Sequence, residues 1–185
     1  MTTMFPYRER ILAHVARWAV VPHVRSQSVA EHSFYVALYT DKLCQMLEWG
    51  DLHTSIAVSY ALRHDMFEIF SGDIPSPAKR TLLTNETVAA FNRHFVKLMP
   101  ADYKAGIPTG EIYEVVKLAD KLDEFFWLCT ETGLGNRSVA ALLMTVLADI
   151  EGRVHELGLP VSLVEELRVE HNSALNGGFI DDAPR

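Results

Sequence analysis

The stretch DLHTSIAVSYALRHDMFEIFSGDIPSP, residues 51–77, joins a helical apolar pattern to a compact group of ionisable side chains, Arg63, His64, Asp65 and Glu68. Leu52, Ile56, Ala57, Tyr60, Ala61, Met66 and Phe67 recur at helical spacing around most of the circumference. The spacing predicts a helix over 52–70, capped by Asp51 and central to the core. Gly72, Pro75 and Pro77 cannot continue it, so 71–77 reads as a loop. Within the helix, His64 and Asp65 are neighbours about 100° apart, able to embrace an ion lying between their two directions. Glu68 follows at i+4 from His64 and i+3 from Asp65, which brings it to the same side.

Outward from this stretch the spacing stays helical. Val36, Tyr39, Leu43 and Leu47 predict a helix over 29–49, with Ser28 as N-cap and Gly50 as stop. An amphipathic helix is expected over 85–99 and a connector over 100–110. Ile112, Val115, Ala119, Leu122, Phe126 and Cys129 mark a long helix over 112–129, ended by Gly133 and Gly135. Leu143, Val146, Ile150, Val154 and Leu157 mark another over 139–157, ended by Gly158 and Pro160. A last helix is expected over 161–174, with 175–185 as a loose tail. No window of alternating polarity competes with these, and no repeat or linker divides the chain. The expectation is one all-α domain, a helical bundle spanning 1–185.

Composition narrows the function classes. Of 185 residues, 49% are hydrophobic and 22% charged, which excludes a disordered or low-complexity chain. A formal net charge of -7 makes nucleic acid and anionic membrane poor partners, although local basic residues can still hold a small anion. The two cysteines, Cys44 and Cys129, sit in apolar helical stretches without a CxxC pair and read as buried small hydrophobes in a reducing compartment. The first ten residues carry charge where a signal peptide needs an apolar core, and no apolar run approaches the roughly 20 residues of a membrane span. A soluble cytoplasmic protein is expected.

Histidine and carboxylate recur in three separate helical stretches: Glu31-His32, His64-Asp65 with Glu68, and Lys117 to Asp120. Imidazole nitrogen and carboxylate oxygen suit a borderline divalent ion such as zinc, manganese, cobalt or iron. A lone His-Asp dipeptide is more often a surface pair or a hydrogen-bonded core histidine. The order of the parts says more: Arg17-Trp18, Glu31-His32-Ser33, His64-Asp65-x-x-Glu68, Gly72-Asp73-x-Pro75-x-Pro77-x-Lys79 and Lys117-x-x-Asp120.

This composite resembles the HD-domain phosphohydrolase superfamily, in the branch of bacterial 5'-deoxynucleotidases and phage dATP triphosphohydrolases. The resemblance covers about 17–120 and implies an HD-domain helical bundle with a divalent-metal site in its core. It makes His32, His64, Asp65 and Asp120 the metal ligands, with zinc, cobalt, manganese or magnesium as the ion. It implies Glu68 as general acid/base and Asp73 as a carboxylate that meets the sugar or assists catalysis, though Asp73 also fits an Asx-type turn after Gly72. Arg17, Lys79 and Lys117 take phosphate-binding positions. Trp18 is implied as a flat wall for sugar and base, where a core tryptophan is the competing reading. Val20 and Pro77 are implied to line the base slot. Arg25 and Arg63 serve equally as phosphate contacts or ion-pair partners and are left out of the set.

The implied activity is metal-dependent hydrolysis of the sugar–phosphate ester of a deoxynucleotide. The favoured form converts dATP to deoxyadenosine and triphosphate and also acts on dADP and dAMP. The alternative is a 5'-deoxynucleotidase that takes dNMPs to deoxynucleoside and phosphate. A non-catalytic HD module that senses nucleotides is a further reading, and it predicts decay of Glu68 or of a ligand, yet all five positions are occupied. Hydrolysis of guanosine tetraphosphate or a cyclic nucleotide shares the metal pattern but not Trp18 or the 72–79 loop. A deoxynucleotide and further copies of the chain are the expected partners, with helices 112–129 and 139–157 as the surface for self-association.

Overall fold

The computed structural model describes residues 8–82, 84, 86, 87, 90, 93, 94 and 108–177. A 3-10 helix, Arg8–His14, precedes α1, Val29–Met46. There follow α2 (Asp51–Ala61), α3 (Glu68–Ser71), α4 (Ser76–Leu82) and α5 (Glu111–Gly133). A 3-10 turn at Arg137–Val139 leads into α6 (Ala140–Glu156), and α7 (Val161–Leu175) closes the bundle. Among the described residues there is no strand, only an isolated bridge between Ala16 and Ser28. The all-α expectation holds. The expected helix over 85–99 and the connector over 100–110 lie mostly outside the described residues, as does most of the 175–185 tail.

The centre is α5, not the helix read from 52–70. Val115, Leu118, Ala119, Phe125 and Leu128 are fully enclosed, and α5 packs against α1, α2, α6 and α7. Each such large side chain contributes roughly 1.5–3 kcal/mol on burial. On α2 only Ala57 and Ala61 are buried, while Leu52 is 72% exposed. Small side chains let α2 approach closely, so its large apolar residues are left on the outer face. The same packing corrects the expected self-association surface, because the apolar face of 112–129 is spent on the core.

The predicted helix 52–70 is also interrupted. After Ala61 the backbone tightens to i→i+3 bonds, Arg63 N to Tyr60 O at 2.9 Å and Met66 N to Arg63 O at 3.0 Å, before α3 starts at Glu68. Side chains three apart eclipse in such turns, which aligns Asp65 with Glu68 more closely than an α-helix would. Gly50, not Asp51, is the N-cap of α2. The loop expected over 71–77 ends early: α4 begins at Ser76, with Pro77 in the first turn, where a missing N–H is no loss. The predicted 29–49 helix stops at Met46, where Glu48 adopts φ +55° and Trp49 N bonds back to Cys44 O at 3.0 Å.

Candidate metal centre

The first histidine is placed by a cap and a pin. Ser28 accepts from the Glu31 N–H at 3.2 Å and starts α1, which turns His32 inward one turn later. Val15 O accepts from the Val29 N–H and Gln27 O from the Arg17 N–H, both at 2.9 Å, so 15–17 and 27–29 lie side by side. A small cluster of Leu12, Val29 and Met66 ties this pair to the turn carrying His64, Asp65 and Glu68. Asp120 comes from the middle of α5.

Four groups from these three stretches converge. His32 Nε2 lies 3.2 Å from His64 Nε2, 3.4 Å from Asp65 Oδ2 and 3.3 Å from Asp120 Oδ1. His64 Nε2 is 3.3 Å from Asp65 Oδ2. The donor atoms of His32, His64 and Asp120 all fall within 4.8 Å of one another, a spread that suits one cation. His32 is wholly buried, whereas Asp65 and Asp120 keep 19% and 23% of their side chains exposed, so the cluster opens to solvent on its carboxylate side.

The hydrogen bonds at the far sides of the rings test whether this set fits a metal ion. His32 Nδ1 stands 2.6 Å from Asp123 Oδ2, and His64 Nδ1 stands 2.7 Å from the Ala61 carbonyl. Asp123 and the Ala61 carbonyl accept only, and the two hydrogens of Arg17 Nη1, which also touches His32 Nδ1, are taken by Gln27 Oε1 and Asp123 Oδ2. Each Nδ1 is therefore assigned the hydrogen, and each Nε2 faces the cluster. Two lone pairs facing at 3.2 Å between carboxylates need a positive charge between them. Without a metal that charge is a proton. Burial and the Arg17 guanidinium oppose a charge on His32, but Asp120, Asp123 and Asp65 outweigh them and lift its pKa to about 10. Burial likewise opposes the charge on Asp120, yet His32 and Lys117 hold its carboxyl well below the usual range. For Asp65, burial is outweighed by His64 and His32, in the same direction. The residues fit a divalent cation with nitrogen and oxygen donors.

Glu68 sits beside this cluster in a different state. It is 1% exposed, and neither carboxyl oxygen has a hydrogen-bond partner among the described residues. Lys79 Nζ approaches Oε1 to 3.5 Å. Burial, reinforced by the charges of Asp65 and Asp73 and opposed by Lys79 and Arg17, pushes its pKa up to about 8. A carboxyl that is neutral at pH 7 next to a cation site is suited to donate a proton.

The remaining expected residues are placed as follows. Lys117 Nζ lies 3.2 Å from Asp120 Oδ2; burial works against its charge, but Asp120 and Asp65 hold the ammonium above the usual lysine range. Arg17 Nη1 contacts His32 Nδ1 and donates to Gln27 Oε1 at 3.2 Å and to Asp123 Oδ2 at 3.1 Å. Asp73 lies in the half-buried 72–75 loop, close enough for its charge to act on Glu68. Trp18 has φ +67° and stacks on Trp127 with centroids 4.2 Å apart, so one of its faces is covered. Val20 is 64% exposed on the turn that follows. Pro77 has its backbone in α4, and its side chain lies outside the described residues. Arg25 pairs with Glu31, and Arg63 donates to Ser59 O at 2.7 Å, which accounts for both without phosphate.

Two residues beside His32 were not expected. Asp123 is buried and accepts from His32, Arg17 and Gln27. Gln27, 2% exposed, links it to the Trp18 indole. The spacing Lys117, Asp120, Asp123 places Asp123 one turn from a ligand on the same helix stripe, which was a readable signal. Gln27 had none, since only the 15–29 pairing brings it inward.

Comparison with known proteins agrees with this geometry. Residues 5–160 match the family described as YfbR-like 5'-deoxynucleotidase. A dATP triphosphohydrolase of Salmonella phage PMBT28 is 33% identical over 135 residues, 69% of this chain and 68% of the relative. A 5'-deoxynucleotidase of Cronobacter sakazakii is 26% identical over 174 residues, 92% of this chain and 84% of the relative. Among solved structures, the HD phosphohydrolase of cyanophage S-2L, bound to dA and one catalytic zinc ion, superposes with a TM-score of 0.70. That superposition covers 95% of this chain and 99% of the other at 23% identity, which bears on the fold. The cluster of His32, His64, Asp65 and Asp120, with Glu68 against it, is thus found in an HD-domain phosphohydrolase chain that belongs to the YfbR-like 5'-deoxynucleotidase family.

Proposed function

We propose that the enzyme, a metal-dependent phosphohydrolase acting on deoxynucleotides, cleaves the sugar–phosphate ester of dATP, releasing deoxyadenosine and triphosphate, and also accepts dADP and dAMP. The observation that carries the reading is the pair of facing Nε2 atoms at 3.2 Å flanked by Asp65 and Asp120, with the buried Glu68 alongside. The preference for dATP rests on the phage relative at 33% identity.

His32, His64, Asp65 and Asp120 would hold the ion. When bound, a divalent cation supplies Lewis acidity, offsetting charge on the phosphoryl oxygens and making water more acidic. In the reaction, water oxygen bonds to the α-phosphorus as the bond from phosphorus to the 5'-oxygen breaks. Glu68 gives its proton to the departing 5'-oxygen and regains one from the attacking water, so the protons balance. Phosphate monoester hydrolysis is among the slowest uncatalysed reactions, and positioned cations are needed to offset its charge. Arg17, Lys79 and Lys117 are assigned that task. The two hydrogen bonds that Arg17 donates to described side chains both leave from Nη1, so Nη2 and Nε are assigned to phosphate. Asp73 is assigned to the sugar, and Trp18, Val20 and Pro77 to the sugar and base.

A second reading has its own support: the family description and the bacterial relative name a 5'-deoxynucleotidase, which takes dNMPs to deoxynucleoside and phosphate. Both reactions attack the same phosphorus. Purified protein incubated with dATP, dGTP and dAMP separates them by product. Triphosphate and deoxyadenosine from dATP are expected; orthophosphate from dAMP with dATP untouched would overturn the dATP reading in favour of the nucleotidase.

No helix among the described residues is long and apolar enough to cross a membrane. Action in the cytoplasm, the host's if the gene is phage-borne, is part of the proposal. So is self-association, for which the exposed Phe34, Leu38, Leu52 and Ile56 on α1 and α2 supply apolar surface. Light scattering of the purified chain tests it, and a monomer at all concentrations would sink it.

A further inference from the structure

We propose that Asp123 and Gln27 are positioning residues: a buried hydrogen-bond chain from the Trp18 indole through Gln27 and Asp123 to His32 Nδ1 fixes His32 as an Nε2 metal ligand. The inference rests on the metal-dependent reading above and extends it to two residues outside the ligand set.

One arrangement of hydrogens satisfies the chain when the two hydrogens of Arg17 Nη1 go to Gln27 Oε1 and Asp123 Oδ2 and its contact with His32 Nδ1 is packing alone. Trp18 Nε1 and Arg17 Nη1 are donors only, and both point at Gln27 Oε1, at 3.0 and 3.2 Å. Gln27 Nε2 therefore faces Asp123 and donates to Oδ2 at 2.9 Å. The reversed amide would set an NH2 against two donors and a carbonyl against a carboxylate. Asp123 Oδ2 thus receives Gln27, Arg17 and His32 together, and the 2.6 Å contact with Nδ1 leaves Nε2 as the ring nitrogen of His32 that faces the cluster. Exposures of 0% for His32, 2% for Gln27 and 3% for Asp123 exclude water as a substitute acceptor. A carboxylate behind a ligating histidine raises its basicity and fixes its ring, and loss of such a partner typically costs 10–100-fold in metal affinity.

The chain also joins the ion to the nucleotide side. Arg17, assigned to phosphate, shares its Nη1 between Gln27 and Asp123, and Trp18 ends the same chain. Trp18 itself stacks on Trp127, so the chain starts from a ring packed on one face.

The test measures zinc affinity of the full chain by competition with a chromophoric chelator, and the His32 tautomer by nitrogen-15 NMR of histidine-labelled protein. Asp123→Asn keeps the shape and removes the charge; it is expected to bind zinc about 10–100-fold more weakly at unchanged helical content. Gln27→Met is expected to lose about threefold to tenfold, since it removes only a support of Asp123. Zinc-loaded wild type is expected to show His32 protonated at Nδ1 alone. An Nε2–H tautomer in that spectrum, or unchanged zinc affinity in a folded Asp123→Asn or Gln27→Met, overturns the proposal. The spectrum decides even if both variants fail to fold, and a wild-type chain that binds no zinc sinks it too. Turnover separates the two readings. Wild type that binds zinc with the stated tautomer but hydrolyses no deoxynucleotide removes the proposed function and leaves the relay. Wild type that hydrolyses dATP while Asp123→Asn binds zinc normally does the reverse.

Discussion

The two walls of the candidate metal centre are built in opposite ways. On the wall formed by α1, α5 and the 15–29 pairing, His32, Asp123, Gln27 and Arg17 bond to one another in a closed, buried set. On the wall formed by 62–79, Glu68 is as deeply buried, yet neither of its oxygens has a hydrogen-bond partner among the described residues, and Lys79, which pairs with it, is 39% exposed. A satisfied network holds one geometry, whereas an unsatisfied carboxyl keeps an elevated proton affinity. The difference fits the proposed roles: the closed set fixes His32 from behind, while Glu68, on the wall that also carries His64 and Asp65, keeps the proton affinity that a proton donor needs.

Replacing Glu68 by Gln strikes the second wall alone. It removes the proposed proton donor at nearly constant shape, so kcat for deoxynucleotide hydrolysis is expected to fall about 10²–10⁴-fold while zinc affinity stays within a few-fold. A variant that turns over normally would remove the division of labour. One that also loses zinc would show that the two walls are not separable.

A more graded effect is expected from Lys79, which lowers the Glu68 pKa from its half-exposed position. Lys79→Met should reduce kcat/KM about tenfold, of the order of one weakened phosphate contact, and raise the pH at which activity falls on the alkaline side. The pH profile is the discriminating measurement. An alkaline limb that moves down, or does not move, would disconnect Lys79 from Glu68.

The first wall is sharpened by proton counting. With the His32 pKa lifted to about 10, the metal-free site holds a proton at neutral pH that a cation must displace. Zinc titrated into metal-free protein at pH 7.5, in buffers of different ionisation enthalpy, should release close to one proton. Release near zero would mean that His32 Nε2 is already bare and that the three carboxylates do not hold it charged.

How far these walls could be read beforehand depends on where their contacts lie along the chain. His32, His64, Asp65, Asp120 and Glu68 were legible because the composite pattern lists them in order, and all five meet in the fold. The helical pattern was equally legible: the 139–157 and 161–174 stretches appear as α6 and α7 within a residue or so at each end. Periodicity could not show which helix is central. The 52–70 stretch has more apolar sides than a peripheral helix needs, yet alanine faces the core and Leu52 faces out. The break at 62–67 was also hidden, since tight turns of i→i+3 bonds keep nearly the same spacing of side chains. Gln27 and the Trp18–Trp127 stack depend on partners about a hundred residues apart, and no local spacing announces them.

The smallest effect expected is on stability, and it takes the opposite sign from the loss of activity. Glu68 ionises in the unfolded chain near its ordinary value of 4.5 and in the folded, metal-free chain at about 8. Below the first value both states are protonated and the carboxyl adds no pH dependence. Between the two, the unfolded state has lost a proton that the folded state keeps, so the metal-free fold loses stability as pH rises through this window. Above about 8 the loss is complete. Glu68→Met removes the titrating group at similar volume and so removes the penalty. The metal-free variant should melt higher than metal-free wild type at pH 8, by at least ~2 °C for each ~1 kcal/mol relieved in a chain of this size, and the gap should close toward pH 4.5. Equal melting temperatures at both pH values would mean that the folded chain solvates the Glu68 carboxylate after all. The proton assigned to the departing 5'-oxygen would then have to come from a group other than Glu68.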